Sequence, residues 1–323
     1  MIIYNKDLDL NLESYGIEVP LLDDRSVRCF SELVKVNKSL RETPLKEIPI
    51  ICKEDLLLAH DEEFVERLFS KDCSEEIIDC YELKDERGEN QRFNPSSNSK
   101  PLENLFQTIL LQAGATYAAL LKADKSGFCF ALSGGMHHAM SSTPRGFCLI
   151  NDIVIAARKY QVSNSNTKFC VVDIDAHKGC GTAEITRNDD SIETLSIHMK
   201  EGWPLDPESG EGPWHIPSNI DIPIAKSEQD LYLEKLQEGL TSLNNSDFAI
   251  VVAGADPYIE DVLESAKGLQ LSKEEMLKRD RLVYEFFKKK KIPQVWVMAG
   301  GYGPATWEIY YQFLKSIREE ELA

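Results

Sequence analysis

The stretch "KFCVVDIDAHKGCGT" (residues 168–182) joins a short apolar run to a row of charged side chains. Its first half is apolar without alternation, which is typical of a strand buried on both faces of a parallel sheet. In extended backbone Asp173, Asp175 and His177 point to the same side. Two carboxylates and an imidazole are costly there unless they bind a cation or form hydrogen bonds. A hydrogen-bonded turn and a cation site are both compatible with this pattern.

The alternation of apolar strand and helix extends outward from this stretch through most of the chain. Strands are predicted over 127–133, 168–176, 193–199, 219–224, 247–255 and 294–301. Helices are predicted over 104–123, 147–160, 181–188, 228–243, 272–290 and the C-terminal end. This order predicts an α/β fold, with a mostly parallel central sheet and helices on both faces.

The first hundred residues are helical and irregular by their pattern. Residues 53–70 have apolar side chains at helical spacing and acids near the start, which predicts a helix. Residues 85–101 are polar and rich in turn formers, so we expect an inserted surface loop, near a site mouth or elsewhere on the surface. No linker or internal repeat interrupts the rest, and we expect a single domain over residues 1–323.

Polar side chains follow several of the predicted strands at the points where the strands end. The tandem His137 and His138 come after the first, Asp256 after "AIVVAGA", and Tyr302 after "VWVMAGG". Ligands of open α/β sheets bind beyond the carboxyl ends of the strands, so we expect these side chains to share one site. With Asp256 from another strand, Asp175 and His177 would supply three ligands and leave a position open for water, as a catalytic zinc site requires.

Composition excludes several other classes of protein. The chain of 323 residues has a formal net charge of −18, which argues against nucleic-acid binding, since phosphate contacts need a basic face. An acidic surface favours solubility and could attract cationic substrates. The start shows no signal-peptide pattern and no segment is apolar enough to span a membrane. The eight cysteines form no CxxC pair and are expected to be reduced, which indicates a cytoplasmic protein.

The motifs together resemble the histone deacetylase family, whose members have the arginase/deacetylase fold. The resemblance rests on "GGMHHAM", "RGFCLINDIVIAA", "VVDIDAHKGCGT", "AGADP" and "MAGGY", and it covers about residues 50 to 315 in order. Class IV-like and bacterial deacetylase-like members look most similar. The resemblance implies a zinc-dependent amidohydrolase that removes an acetyl or longer acyl group from lysine in a protein or peptide.

The resemblance also implies a role for each matching residue. Asp175, His177 and Asp256 match the zinc ligands, a set that would also accept Fe²⁺ or Co²⁺. The tandem His137 and His138 match the catalytic histidines, with Asp173 as the carboxylate partner of the first, and Tyr302 matches the tyrosine that polarises the amide carbonyl. The walls of the acyl channel match Gly146, Phe147 and Trp203. A structural potassium site matches Asp173, Asp175, His177 and Ser196. His138 would act as general base and then general acid, while His137 would tune the local charge.

Two positions depart from the family pattern. Lys178 stands where many members have a second histidine, and Cys180 stands where the second tandem histidine would find Asp or Asn. Neither is a zinc ligand by the resemblance, so metal binding is still expected. The cysteine leaves the tuning of His138, and hence the rate, open.

Other functions remain compatible with the sequence. An acetylpolyamine or another small amide would present the same amide on an aliphatic stem. A non-catalytic domain that binds acylated ligands is a second alternative. A binuclear manganese ureohydrolase of the same fold would need further carboxylates after His177, where Lys178, Gly179 and Cys180 stand. The sequence indicates neither the oligomeric state nor the biological target.

Overall fold

Seven parallel strands form the central sheet of the computed structural model, which describes residues 1–22 and 24–321. In chain order the strands are β1 (Ile2–Ile3), β2 (Phe128–Ala131), β3 (Phe169–Asp173), β4 (Ile192–Met199), β5 (Ile220–Ile224), β6 (Phe248–Val252) and β7 (Gln294–Val297). Their order across the sheet is β1-β2-β7-β6-β3-β4-β5. The predicted α/β fold with a parallel sheet is therefore confirmed.

Helices cover both faces of this sheet. In the described part of the chain they are α1 (Asp24–Val36), α2 (Lys53–Leu56), α3 (Glu62–Leu68), α4 (Cys73–Cys80), α5 (Leu105–Ser126), α6 (Asp152–Ser163), α7 (Cys180–Thr186), α8 (Tyr232–Ser242), α9 (Lys273–Lys290) and α10 (Thr306–Glu321). Apolar side chains of α2 to α6 form one core layer, and those of α1, α8, α9 and α10 form the other. Along β3, Val171 belongs to the first layer and Cys170 and Val172 to the second. Successive strand side chains point to opposite faces, so one continuous apolar strand serves two cores.

The helix predicted over 147–160 begins later than its apolar pattern indicates. Gly146 and Phe147 have φ angles of 55° and 64°, in the left-handed region that a helix cannot contain. The helix α6 begins only after Asn151, whose side chain accepts a hydrogen bond from the Val154 N–H at 3.1 Å. Residues 147–151 therefore form a loop, and that loop lies at the site described below.

Three further elements differ from the sequence prediction. The helix predicted over 53–70 is divided into α2 and α3, because the Asp61 N–H donates to the Ser141 carbonyl at 2.8 Å instead of continuing the helix. The strand β1 was not predicted, since its two residues gain their hydrogen bonds from the distant β2. The helix predicted over 228–243 begins its α-helical part at Tyr232, after a 3₁₀ segment.

The remaining expectations concern the surface and the thiols. Residues 85–101 contain no helix or strand, and most of them are exposed. All eight cysteines are free thiols; seven are buried and Cys52 is exposed. Within the described ranges, no helix combines the length and apolar character needed to cross a bilayer.

Candidate active site

The polar residues predicted at strand ends lie together at the carboxyl edge of four adjacent strands. The strands β2, β7, β6 and β3 are neighbours in the sheet. Behind their ends come His137 and His138, then Tyr302, Asp256, and finally Asp175 with His177. All of these side chains are buried. Parallel pairing brings segments together that are more than a hundred residues apart in the chain.

Asp175, His177 and Asp256 form a compact group of possible metal ligands. One ligand atom from each lies within 4.8 Å of the others. His177 Nδ1 is 2.9 Å from Asp256 Oδ2 and 3.2 Å from Asp175 Oδ1. Burial lowers the pKa of His177, but hydrogen bonds to the two carboxylates outweigh this effect and raise the pKa to about 10. A buried cluster that holds a proton this strongly is an environment that favours a cation.

The backbone around the ligand group leaves room only for glycine. A Cβ added at Gly300 would lie 2.5 Å from Asp175 Oδ2 and 2.7 Å from Asp256 Oδ2. A Cβ at Gly254 would overlap the Asp175 carboxylate as well. The Gly300 N–H donates to Asp175 Oδ2 at 2.9 Å, which fixes that carboxylate. Two oriented carboxylates and one imidazole are a donor set that fits a single divalent transition metal ion.

The two histidines of the tandem pair have different partners. The centroids of the two rings lie 3.9 Å apart, and the ring planes are tilted by 42°. His137 Nδ1–H donates to Asp173 Oδ2 at 2.6 Å. Burial lowers the pKa of His137, but the charges of Asp173 and Asp175 outweigh it and raise the pKa to about 9. His137 is thus held as a charged partner of a carboxylate.

His138 has no carboxylate behind it. Its Nδ1 lies 3.4 Å from the Sγ of Cys180, which is the neighbour that the family resemblance implied. Burial lowers the pKa of His138 well below its usual value, and the nearby His137 and His177 act in the same direction. His138 is therefore a neutral imidazole that can accept a proton.

Tyr302 faces the same cavity from the opposite side. It lines the cavity together with His137, His138 and Asp175. Burial, reinforced by the charges of Asp256 and Asp175, raises the pKa of Tyr302 well above its usual value. The phenol stays protonated, so it is available as a hydrogen-bond donor. Its backbone N–H donates to Asp261 Oδ2 at 2.7 Å, which anchors the residue.

Aromatic side chains form the walls of a channel that leads to these polar groups. Gly146, Phe147, Trp203 and Tyr302 line its outer part. The Trp203 and His138 rings lie edge to face, with their centroids 4.6 Å apart. The ring centroids of Phe147 and Tyr302 lie 6.2 Å apart. The channel is also lined by Glu82, Arg92 and Leu263, and by Ser265, whose Oγ lies 3.3 Å from His177 Nε2. The loop predicted over 85–101 thus contributes Arg92 to the channel lining.

The predicted monovalent cation site lies below the metal ligands. Ser196 pairs with Asp173 in register across β3 and β4. The Ser196 Oγ accepts the Gly179 N–H at 3.4 Å, and Asp173 Oδ1 accepts the Asp175 N–H at 3.1 Å. Asp173, Asp175 and His177 belong to one segment and Ser196 to the neighbouring strand, and potassium binding at these residues stays a prediction.

Some positioning residues were missed by sequence analysis. Asp152 accepts hydrogen bonds from the N–H groups of Gly135 and Met136 at 3.0 and 2.7 Å, and so holds the turn that carries the histidine pair. Arg25 donates to the carbonyls of Ala299 and Gly301 at 2.7 and 3.2 Å and supports the turn before Tyr302. Asp152 fell inside the helix predicted over 147–160, so its place at the helix start was not apparent, and nothing near Arg25 in the sequence indicates its role.

Comparison with known proteins places the whole arrangement in context. The profile of the histone deacetylase domain matches residues 20–315. Histone deacetylase 2 of Arabidopsis thaliana is 24% identical over 326 residues, covering 99% of this chain and 79% of its own length. Histone deacetylase HDAC1 of Drosophila melanogaster is 26% identical over 313 residues, covering 93% of this chain and 56% of that protein.

Other similar proteins agree in sequence and in fold. An uncharacterised protein of Picosynechococcus is 29% identical over 209 residues, which cover 64% of this chain and 66% of that protein. The chain therefore spans slightly less than two thirds of that relative. The crystal structure of the HDA15 HD domain has a TM-score of 0.70 at 20% identity, covering 100% of this chain and 92% of that one. The crystal structure of a histone deacetylase homologue complexed with SAHA has a TM-score of 0.68 at 23% identity, covering 98% of this chain and 82% of that one.

Proposed function

This chain belongs to the histone deacetylase family, and from this premise we propose that it is a zinc-dependent amidohydrolase acting on acyl-lysine in proteins or peptides. The family and its fold indicate a deacetylase hydrolase. One observation carries the proposal: Asp175 and His177 line one cavity with His138 and Tyr302, an aromatic channel leads to it, and the third ligand, Asp256, lies 2.9 Å from His177 Nδ1. That combination is what metal-assisted amide hydrolysis requires.

Asp175, His177 and Asp256 would hold the metal ion. When bound, a divalent ion supplies a Lewis acid that polarises the amide carbonyl and makes water more acidic. Zinc suits two carboxylates and one imidazole, and Fe²⁺ or Co²⁺ would fit the same set. A structural potassium ion is proposed to bind nearby, at Asp173, Asp175, His177 and Ser196.

His138 is the proposed general base and general acid. Its low pKa keeps the imidazole neutral, so it accepts the proton of the attacking water. The protonated His138 then donates that proton to the departing amine, which leaves as the lysine side chain. His137, charged and bonded to Asp173, does not compete for the water proton and orients the reacting groups.

Tyr302 is the proposed donor to the developing oxyanion. A phenol whose pKa is raised donates without losing its proton. Such a donor stabilises charge that appears only as the carbonyl carbon becomes tetrahedral, so it favours the transition state over the bound substrate.

The channel supports a substrate with an amide at the end of an unbranched aliphatic stem. Phe147 and Trp203 offer two aromatic surfaces to methylene groups, and the polar groups lie at the inner end. An acyl-lysine side chain has this shape. Acetylated polyamines share it, so the test includes both.

The deciding experiment is steady-state hydrolysis by zinc-loaded protein. The substrates are acetyl-lysine and longer acyl-lysine peptides, acetylputrescine and acetylspermidine. We expect turnover of an acyl-lysine peptide, and we expect Asp256→Ala to abolish both turnover and metal retention. Glu208→Ala, which removes an exposed carboxylate that is not among the proposed metal ligands, is the matched control.

Each alternative has its own outcome. Preferential turnover of an acetylpolyamine would replace the proposed substrate class. A folded protein that retains one metal ion yet hydrolyses none of these amides would be a binding domain rather than an enzyme. Two transition metal ions per active chain would contradict the mononuclear site.

A further inference from the structure

The channel wall formed by Trp203 belongs to a long surface segment, residues 200–218, here named the wall loop. The loop is closed partly on itself: the Gly210 carbonyl accepts the Trp214 indole N–H at 3.1 Å and lies 3.1 Å from His215 Nε2. Lys178 Nζ donates to the His215 carbonyl at 3.3 Å and tethers that end of the loop. None of these contacts holds the Trp203 ring itself.

Arg145 is the residue that joins the wall loop to the opposite wall. Its guanidinium carbon lies 5.2 Å from the ring centre of Trp203 and 4.0 Å from that of Trp214. It directly precedes Gly146 and Phe147, which line the other side of the channel. One side chain therefore contacts both indoles of the wall loop from the segment that carries the second wall.

The environment of Arg145 is unusual for an arginine. Its Nε atom is buried, and no hydrogen-bond acceptor for it exists in the described part of the chain. Other arginines here have acceptors, such as Arg158, which donates to Asp189 at 2.9 Å. A buried guanidinium nitrogen without an acceptor is costly, so the faces of the two indoles are its compensating partners.

The two walls differ in how they are fixed. Phe147 is held by its own backbone, because its N–H donates to the Cys80 carbonyl at 3.0 Å, and its ring stacks on Tyr81 at 5.9 Å. Trp203 packs closely on Gly146, where an added Cβ would overlap the indole. The position of Trp203, and with it the width of the channel, depends on what presses the indole toward Gly146.

We propose that Arg145 is a positioning and specificity-determining residue, which clamps Trp203 against Gly146 and sets the channel width for an unbranched aliphatic stem. The inference rests on the proposed function in one respect, that the channel receives such a stem. Arg145 acts through Trp203 and does not contact the reacting atoms. A planar guanidinium stacks on indoles better than an ammonium group, so lysine replaces it only in part.

The first test uses two hydroxamates that differ only in their aliphatic chain. Octanohydroxamic acid fills the channel, whereas acetohydroxamic acid reaches only the metal site of the zinc-loaded protein. In Arg145→Met the Kd of octanohydroxamic acid should rise about tenfold, the scale of one desolvated cation–π contact. The Kd of acetohydroxamic acid should stay unchanged, and Arg145→Lys should restore part of the loss.

Substrate kinetics give a second, matching readout. The KM of an acetyl-lysine peptide should rise in Arg145→Met by a larger factor than kcat changes, because Arg145 contacts the channel wall and acts on His138 only through its charge, which Arg145→Lys keeps. Trp214→Ala should have the same effect, and the double variant should be no worse than either single one. Lys290→Met is the control, since it removes an exposed cation that lies 4.3 Å over Phe286 and away from the channel.

The third readout needs neither ligand nor activity. In a Trp307→Phe background, quenching of tryptophan fluorescence by acrylamide reports on Trp203 and Trp214, because Trp296 is fully buried. Arg145→Met should raise the quenching constant of this background protein, and Lys290→Met should not.

The outcomes separate the clamp from the proposed function. Unchanged quenching together with unchanged octanohydroxamate binding would overturn the clamp. An equal loss of affinity for both hydroxamates would also overturn it, since Arg145 would then act on the metal site. If the parent protein hydrolyses no amide but quenching and octanohydroxamate binding respond as expected, the proposed function fails and the clamp stands. Should Arg145→Met not fold, Arg145→Lys and Trp214→Ala decide by the same measurements.

Discussion

Cys180 gives His138 a neutral and weakly hydrogen-bonding neighbour at 3.4 Å. A thiol is a poor acceptor, so it does little to stabilise the protonated imidazole. With burial and two nearby imidazoles acting together, the pKa of His138 lies well below its usual value. At the scale of single residues, His138 therefore differs from a histidine whose neighbour is a carboxylate, because the thiol does not favour its protonated form.

Cys180→Asp should therefore change the pH dependence of hydrolysis. A carboxylate at position 180 favours the charged imidazole and raises the pKa of His138. Because the base must be neutral in the first step, the acid limb of the kcat/KM profile should move to higher pH. Cys180→Asn is the control, since an amide accepts a hydrogen bond without the negative charge. Both variants need the same metal content as the parent.

An acid limb that stays in place in Cys180→Asp would mean that His138 is not the group titrating in that limb. Equal shifts in Cys180→Asp and Cys180→Asn would assign the effect to size or hydrogen bonding rather than charge.

Tyr302 offers a second prediction at the residue scale. Tyr302→Phe removes the phenolic hydroxyl group but keeps the ring that lines the channel. If the phenol donates to the oxyanion, kcat should fall by roughly a hundredfold or more, the loss typical of one such donor. Metal content and the Kd of a ligand that does not use the phenol should be unaffected. Near-full turnover in this variant would reduce Tyr302 to a wall residue.

At the scale of elements, the turns between strands and helices place the chemistry. Gly146 and Phe147, both with positive φ, end the approach to α6 and direct the chain past the channel. Asp152, at the start of that helix, holds the turn with the histidine pair through two backbone N–H groups. The helix and the two turns thus form one unit. A change in the loop 145–151 should therefore alter both the channel walls and the positions of His137 and His138.

Gly146→Ala tests this unit directly. The added Cβ would overlap the Trp203 indole and lie 2.7 Å from His138 Cδ2, at a residue whose φ of 55° already disfavours a side chain. We expect a narrower channel, a loss of acyl-lysine turnover of at least tenfold, and a lower melting temperature from strain of about 1 kcal/mol or more. Zinc content should be retained, which steady-state assays combined with elemental analysis would show.

Gly127→Ala serves as the control for Gly146→Ala, because Gly127 also has a positive φ of 79° but nothing lies within 4 Å of an added Cβ. Equal losses of turnover in the two variants would assign the effect to backbone strain alone rather than to the channel.

At the scale of the whole molecule, the sheet gathers buried acids from distant segments. Asp173, Asp175 and Asp256 are all buried, and the two histidines beside them carry protons at neutral pH when no metal is bound, since their pKa values are raised. A zinc ion at the proposed site would replace the proton of His177 in the folded chain, and the unfolded chain has no preformed site. Metal binding should therefore stabilise the fold as a whole.

The melting temperature should rise on zinc addition. At free zinc 100 times above the Kd the gain is about 2.7 kcal/mol, which for a chain of this size corresponds to roughly 5 °C. Differential scanning calorimetry with and without EDTA measures it. Asp256→Asn should remove the zinc-dependent shift. If zinc shifts parent and variant equally, the stabilising ion binds elsewhere, for example at the exposed Cys52.

The amino-acid sequence determined the features whose signals are local. Apolar runs without alternation predict buried parallel strands, and the alternation of Asp173, Asp175 and His177 predicts that they share one side. The rule that sites lie beyond carboxyl ends of strands then predicts which strand exits meet. Family motifs added roles to the same residues, and the fold and the family were correctly predicted in this way.

The tertiary structure decided what depends on partners far along the chain. The break between α2 and α3 follows from a bond to Ser141, and β1 exists because β2 pairs with it. Helical periodicity could not reveal the left-handed backbone at Phe147, so the loop before α6 was mistaken for helix. Arg145 acquires its two indole neighbours only when the wall loop folds over it. Sequence patterns report how one segment meets the solvent or the core, whereas such pairings exist only after the sheet has brought separate segments together.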